Sequence, residues 1–213
     1  LRELGTGFLA HPANSELRRQ ISAGELRPEA LHAQLLRLVY RFIFLLTAED
    51  REILFHPQAS AEASTIYREG YALSLLRERS LKRHFYDQHS DLWQGLQVVF
   101  GALGAGAEPL GLPALGGLFD TDQCPVLDRS SLSNQALLKA VHALCFFRAG
   151  DTLARVNYRD MGVEELGSVY ESLLELHPQL DIEARPWRFA FAGDDAHGTN
   201  GKGSERKLTG SYY

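Results

Sequence analysis

The spacing of apolar residues predicts a mostly helical chain, organised around a helix at residues 163–176. The apolar residues of this stretch recur every three or four positions, which places them on one face of a helix: Val163, Leu166, Tyr170, Leu173 and Leu174. Pro178 disfavours helical backbone just before it and so ends the helix. A glycine inside a helix costs about 1 kcal/mol relative to alanine, so Gly167 suggests that another backbone approaches there. We therefore expect Gly167, Tyr170 and Glu171 to lie at a packing surface.

Further helices are expected along the rest of the chain. Residues 38–46 are apolar except for Arg41, a pattern typical of a buried helix, and we expect this helix to start at Pro28. Thr47 is expected to begin a separate turn that runs to Leu54. The other helices are predicted at 14–21, 64–79, 91–103 and 131–147. We expect about eight helices packed around the segments 31–46, 131–147 and 163–176.

Strand patterns are confined to the end of the chain. Residues 186–191 alternate as a strand does, and the first half of the segment 205–213 is expected to pair with them. The predicted fold is therefore mainly α, an irregular multi-helix bundle with at most a small C-terminal β-hairpin. Residues 1–178 would form the helical domain. Residues 179–213 would hold a strand, a flexible glycine-rich loop and the start of a further domain.

Composition argues against a stand-alone nucleic-acid binder. The net charge of −5 comes from the second half of the chain, since residues 1–100 hold 12 basic and 12 acidic side chains. The densest basic segment spans 77–84. Its candidates for DNA contact are Arg77, Arg79, Lys82 and Arg83. The preferred interpretation is a solvated helix end, where cations interact favourably with the helix dipole. Arg41 lies in the predicted core helix, and its side chain is expected either to extend out of the core so that the guanidinium reaches solvent or to pair with a carboxylate.

No common motif for metal, nucleotide or membrane binding is present. Cys124 and Cys145 lack the paired spacing of a zinc site, which predicts no metal and fits a reducing cytoplasm. The glycine-rich segment 101–117 has Pro109 where a dinucleotide fingerprint needs its third glycine, so we expect an irregular connection there. No run of 18 apolar residues and no signal-peptide pattern occur, so a soluble, cytoplasmic protein without a membrane partner is expected.

Two tracts together resemble a known family. The tract NYRDMGVEELGSVYESLLEL at 157–176 and the closing ERKLTGSYY at 205–213 are similar to the region ahead of the catalytic core in large adenine-specific DNA methyltransferases. These include type IIG restriction–modification enzymes and phage-exclusion methyltransferases. The segment 36–54 is similar to the helical region upstream in the same family. Both ends of the chain look like cuts from a longer protein.

The resemblance implies a cofactor and a set of residues near it. The closing tract matches motif X, which contacts S-adenosylmethionine (SAM), and the matching positions are Thr209, Gly210, Ser211, Tyr212 and Tyr213. The later motifs of the family are missing, including its Asn-Pro-Pro-aromatic tetrapeptide. The chain itself would therefore hold no SAM and be inactive, whereas the full-length parent would methylate adenine N6 in DNA.

Three functions follow as hypotheses. The favoured one is a helical scaffold or connector that packs against the missing methyltransferase domain, with DNA reached through the full-length protein. A nuclease domain ahead of Leu1 is compatible with the family. The alternatives are a non-enzymatic helical interaction module and an accessory DNA-contacting domain that uses the basic segment.

Overall fold

The computed structural model describes residues 1–193, except for the side chains of Val163, Leu166 and Tyr170. The protein is mainly α-helical, as the sequence predicted. Its helices are α1 (Arg2–Ala10), α2 (Ser15–Ser22), α3 (Pro28–Asp50), α4 (Ala61–Gly70), α5 (Leu73–Arg79), α6 (Asp91–Ala105), α7 (Asn134–Cys145) and α8 (Val163–Leu174). Between α6 and α7 the chain is irregular, with short 3-10 turns at 108–110, 117–119 and 127–129.

Helix α3 lies in the core, which confirms the prediction from its apolar pattern. Leu31, Leu35, Leu38, Phe42 and Leu45 have no exposed surface. The helix continues through Thr47 to Asp50, so the separate turn predicted at Thr47 is wrong. Leu46 and Ala48 are buried on either side of Thr47, so packing overrides a local capping preference.

Length and composition alone would allow α3 to cross a membrane, and it is the one such helix among residues 1–193. Within the protein, 67% of its most apolar window is buried. Arg41 is fully buried in this helix and pairs with Asp128 at 2.7 Å. Pairing with a carboxylate was one of the two alternatives expected for Arg41. The apolar composition of α3 is therefore explained by its burial in the core of the protein.

Two predicted helices end earlier than expected. The helix predicted at 64–79 is divided at Tyr71 and Ala72 into α4 and α5. The helix predicted at 131–147 ends at Cys145, and the chain continues as β1 (Phe146–Ala149), which pairs antiparallel with β2 (Thr152–Arg155). A tight turn at Gly150, whose φ is +62°, joins these two strands. The two phenylalanines of β1 had extended the helical pattern.

A second hairpin follows α8. Strand β3 (Pro178–Asp181) pairs antiparallel with β4 (Arg188–Phe191). The partner of the predicted strand is thus 178–181, and the segment 205–213 that we expected to pair with it lies outside the described residues. Strand β4 packs on α1 and β3 packs on α3, so this hairpin is joined to the helical body.

Helix α8 lies at the periphery, contrary to the prediction that the fold is organised around it. Among its described side chains, Leu173 is packed against the core, and so is Leu176 just beyond the helix. Val169 and Leu174 are 38% and 48% exposed. Periodicity identified an apolar helix face, but it does not tell whether the rest of the same chain covers that face.

Candidate functional site

Three consecutive residues at the end of α3 bond to other parts of the fold, and the third of them bonds to the segment that leads into α8. Glu49 is the first of them, and it accepts hydrogen bonds from Tyr67 Oη at 2.7 Å and from the backbone N–H groups of Leu73 and Ser74 at 2.8 Å. These two N–H groups belong to the first turn of α5, where a carboxylate is favourable. Burial, together with the negative charge of Glu49, raises the pKa of Tyr67. Glu49 thereby fixes α4 and α5 to α3.

Asp50, the second residue, pairs with two arginines from different elements. Its carboxylate lies 3.2 Å from Arg77 of α5 and 2.9 Å from Arg155 of β2. Arg77 is only 5% exposed, and this buried ion pair keeps it away from any phosphate. The prediction that Arg77 contacts DNA therefore requires correction: its role in the described structure is to join α5 to α3.

Arg51, the third residue, holds the segment that leads into α8. Its Nε donates to the carbonyl oxygen of Arg159 and its Nη2 to that of Met161, both at 2.8 Å. The same segment is braced internally, since Asn157 Nδ2 donates to Asp160 at 2.7 Å. The segment held by these bonds leads directly into α8, which begins at Val163. The sequence pattern predicted only a turn from Thr47 to Leu54 and no role for Glu49, Asp50 and Arg51, although three adjacent charged residues ending an apolar helix are a visible signal.

The predicted packing residues of α8 lie on an exposed surface. No described atom outside the helix itself and the neighbouring residues lies within 4 Å of a Cβ built on Gly167, and Glu171, one turn later, is exposed. The side chain of Tyr170 is outside the described part of the structure. We call the surface formed by Gly167, Glu171 and Leu174, which follow one another at positions i, i+4 and i+7, the α8 face. Residues 1–193 leave it largely uncovered.

The chain returns to the end of α8 before the described residues stop. Phe191 pairs with Pro178 across the β3–β4 hairpin, and the N–H of Ala192 donates to the carbonyl oxygen of His177 at 2.9 Å. His177 lies only three residues beyond Leu174, the last residue of α8. The described residues therefore stop beside the C-terminal end of α8.

The other basic candidates for DNA contact in the segment 77–84 do not share the buried ion pair of Arg77. Lys82 and Arg83 are exposed, and Arg79 is half-buried with its guanidinium carbon 5.4 Å from the centre of the Phe85 ring. Within residues 1–193, none of these three pairs with a carboxylate. DNA contact by Arg79, Lys82 and Arg83 stays a prediction.

The predicted cofactor residues, Thr209, Gly210, Ser211, Tyr212 and Tyr213, lie outside the described residues. Across the part of the chain that is described, no group of three or more His, Cys, Asp or Glu side chains is placed to hold a metal ion. The thiols of Cys124 and Cys145 are buried, and burial raises their pKa values to about 11 and about 12. At neutral pH both are therefore protonated and poor nucleophiles or ligands.

Comparison of the chain with protein-family models, with curated proteins and with solved structures gives no match. The resemblance to adenine-specific DNA methyltransferases therefore rests on the sequence tracts alone.

Proposed function

We propose that this chain is the helical scaffold of a SAM-dependent adenine-N6 DNA methyltransferase, and that the α8 face packs against the catalytic domain. The observation that carries the proposal is the exposure of that face, on a helix that directly follows a segment bonded to Arg51. Leu174 on this face and Val169 on another side of the helix are exposed apolar side chains, which a covering domain would bury. Gly167 leaves room there for the close approach of another backbone.

The course of the chain supports the same arrangement. The described residues stop beside the end of α8, and the tract that resembles motif X follows within about 20 residues of the sequence. A connection of this length can reach α8, so a catalytic domain that began with this tract could contact the α8 face. Short connections favour contact between neighbouring elements. Helix α8 would then brace the wall of the SAM pocket, while the catalytic domain would supply the chemistry.

The proposal is tested with a chain that continues past Tyr213 into the expected catalytic domain. We would measure transfer of labelled methyl groups from SAM to adenine in DNA, with and without the substitution Gly167→Trp. Because an indole at residue 167 would keep the two domains apart, we expect at least a ten-fold loss of activity, which corresponds to about 1.4 kcal/mol.

The matched control is Gly101→Trp. Gly101 also lies inside a helix, is exposed and has no atom within 4 Å of an added Cβ. We expect this control to leave methylation unchanged. Equal activity of both variants and the unaltered protein would show that the α8 face is not an interface with the catalytic domain.

A further inference from the structure

A groove lies on another part of the molecule, between the turn after α5 and helix α7. Its volume is about 740 Å³. One wall is formed by residues 80–86, the opposite wall by Lys139 and His142 of α7, and one end by Leu153 of β2. We call it the α5–α7 groove.

The wall formed by residues 80–86 is held by local bonds. Ser80 Oγ donates to the carbonyl oxygen of Arg77 at 2.7 Å, and Tyr86 Oη donates to the carbonyl oxygen of Ser80 at 2.6 Å. Arg77 is itself anchored by its ion pair with Asp50. The groove is thus a formed feature of the fold, connected to the end of α3.

Cations dominate the rim of the groove. Arg83 and Lys139 are exposed, and neither pairs with a carboxylate within the described residues. Arg148 pairs in register with Leu153, so it lies on the same side of the β1–β2 hairpin as that groove residue. Glu3 is the one acidic residue that lines the groove among residues 1–193. A positive rim in a chain of net charge −5 favours an acidic ligand.

The groove also exposes large apolar side chains. Leu81 is 47% exposed and Leu153 is 52% exposed, and both line the groove. A DNA backbone would offer phosphates to the cations but nothing apolar to these leucines. A polypeptide that carries both carboxylates and apolar side chains would complement both features.

We propose that the α5–α7 groove binds an acidic, amphipathic segment of a partner protein. Carboxylates of that segment pair with Arg83 and Lys139, while one or two of its apolar side chains cover Leu81 and Leu153. This site is distinct from the α8 face and does not depend on the methyltransferase proposal.

The test is fluorescence anisotropy with two labelled peptides and a DNA duplex. One peptide contains glutamates with leucines at helical spacing, and the second has serine in place of each leucine. The variants are Arg83→Glu, Lys139→Glu and Leu153→Ser, with Arg129→Glu as the control. Arg129 is an exposed cation that does not line the groove. Circular dichroism melting establishes that each variant is folded.

We expect the leucine peptide to bind more tightly than the serine peptide. Reversal of charge at residue 83 or 139 should weaken binding about ten-fold, since an attraction is lost and a repulsion is added. Leu153→Ser should also weaken binding, and Arg129→Glu should have no effect. Absence of peptide binding would overturn the proposal. So would tight DNA binding that depends on Arg83 and Lys139 but not on Leu153, because it would assign the groove to nucleic acid.

Discussion

The ring of Phe189 lies directly over the Cα of Gly5, so that no side chain fits at residue 5. The adjacent Thr6 bonds the same strand residue twice: the N–H of Phe189 donates to Thr6 Oγ1 at 3.1 Å, and Thr6 Oγ1 donates to the carbonyl oxygen of Phe189 at 3.4 Å. Thr6 and Phe189 are 183 residues apart in sequence, and their contacts join helix α1 to the β3–β4 hairpin. The position of the hairpin therefore depends on α1.

The substitution Gly5→Ala tests this contact. A methyl group would collide with the Phe189 ring, and forced displacement in a packed core costs about 1–3 kcal/mol of unfolding free energy. Urea denaturation measures the change. Gly101→Ala is the matched control, because residue 101 lies inside α6 with open space around it. Alanine there should leave stability unchanged or raise it by up to about 1 kcal/mol. Equal effects at the two sites would contradict the packing described for Gly5.

His32 should make stability depend on pH. It is 6% exposed, its Nε2 has no hydrogen-bond partner among residues 1–193, and its ring lies 6.3 Å from that of Phe189 and 5.7 Å from that of Phe191. Burial, aided by the charge of the Leu1 amino group, lowers the pKa of His32 below 6.5. In the unfolded chain the imidazole then takes up a proton at a higher pH than in the folded protein.

We therefore expect the contribution of His32 to be fully present above pH 6.5 and to be lost as pH falls through its lower folded pKa. The free energy of unfolding, measured from pH 8 to 5 for the protein and for His32→Phe, gives this contribution as a difference. The unaltered protein should lose more stability toward low pH than the variant. Parallel curves would mean that His32 has an ordinary pKa.

Glu49 should be more important to stability than a surface carboxylate. Glu49→Ala leaves the buried Tyr67 hydroxyl and two N–H groups of α5 without their acceptor, which should cost about 3 kcal/mol. Tyr67→Phe removes one of these bonds and should cost about 1 kcal/mol. Urea denaturation of both variants gives the comparison. A smaller loss for Glu49→Ala than for Tyr67→Phe would rule out the bracing role of Glu49.

Arg51 should act locally on α8. Because its side chain is largely exposed, Arg51→Ala should change global stability by less than about 1 kcal/mol. Its two bonds to the carbonyl oxygens of Arg159 and Met161 would nevertheless be lost, so the amides of α8 should exchange with deuterium faster. Arg27→Ala, at an exposed position before α3, serves as the control. Unchanged exchange in α8 would show that Arg51 does not secure this helix.

The sequence predicted those parts of the fold whose causes are local or compositional. The nearly all-round apolar pattern of α3 identified the core helix. The sequence did not predict α1, because Gly5 and Gly7 lower its helix propensity. These glycines are explained by packing against distant residues: Phe189 covers Gly5, and Leu132 and Ala136 lie against Gly7.

The candidate site was predicted in part. Helical periodicity identified α8, and Gly167 and Glu171 do lie together on one exposed surface. The burial of Arg77 was not visible from its basic neighbours, because its partner Asp50 is 27 residues away in sequence. The α5–α7 groove was also missed, since α7 and the turn after α5 meet only through the fold.

The most direct test of the methyltransferase account is SAM binding by isothermal titration calorimetry. It compares this chain with a longer chain that includes the expected catalytic domain. The account predicts that only the longer chain binds SAM, because the pocket is built mainly by the domain that α8 supports. Failure of the longer chain to bind SAM, with its folding verified by circular dichroism, would contradict the assignment and leave a helical interaction module.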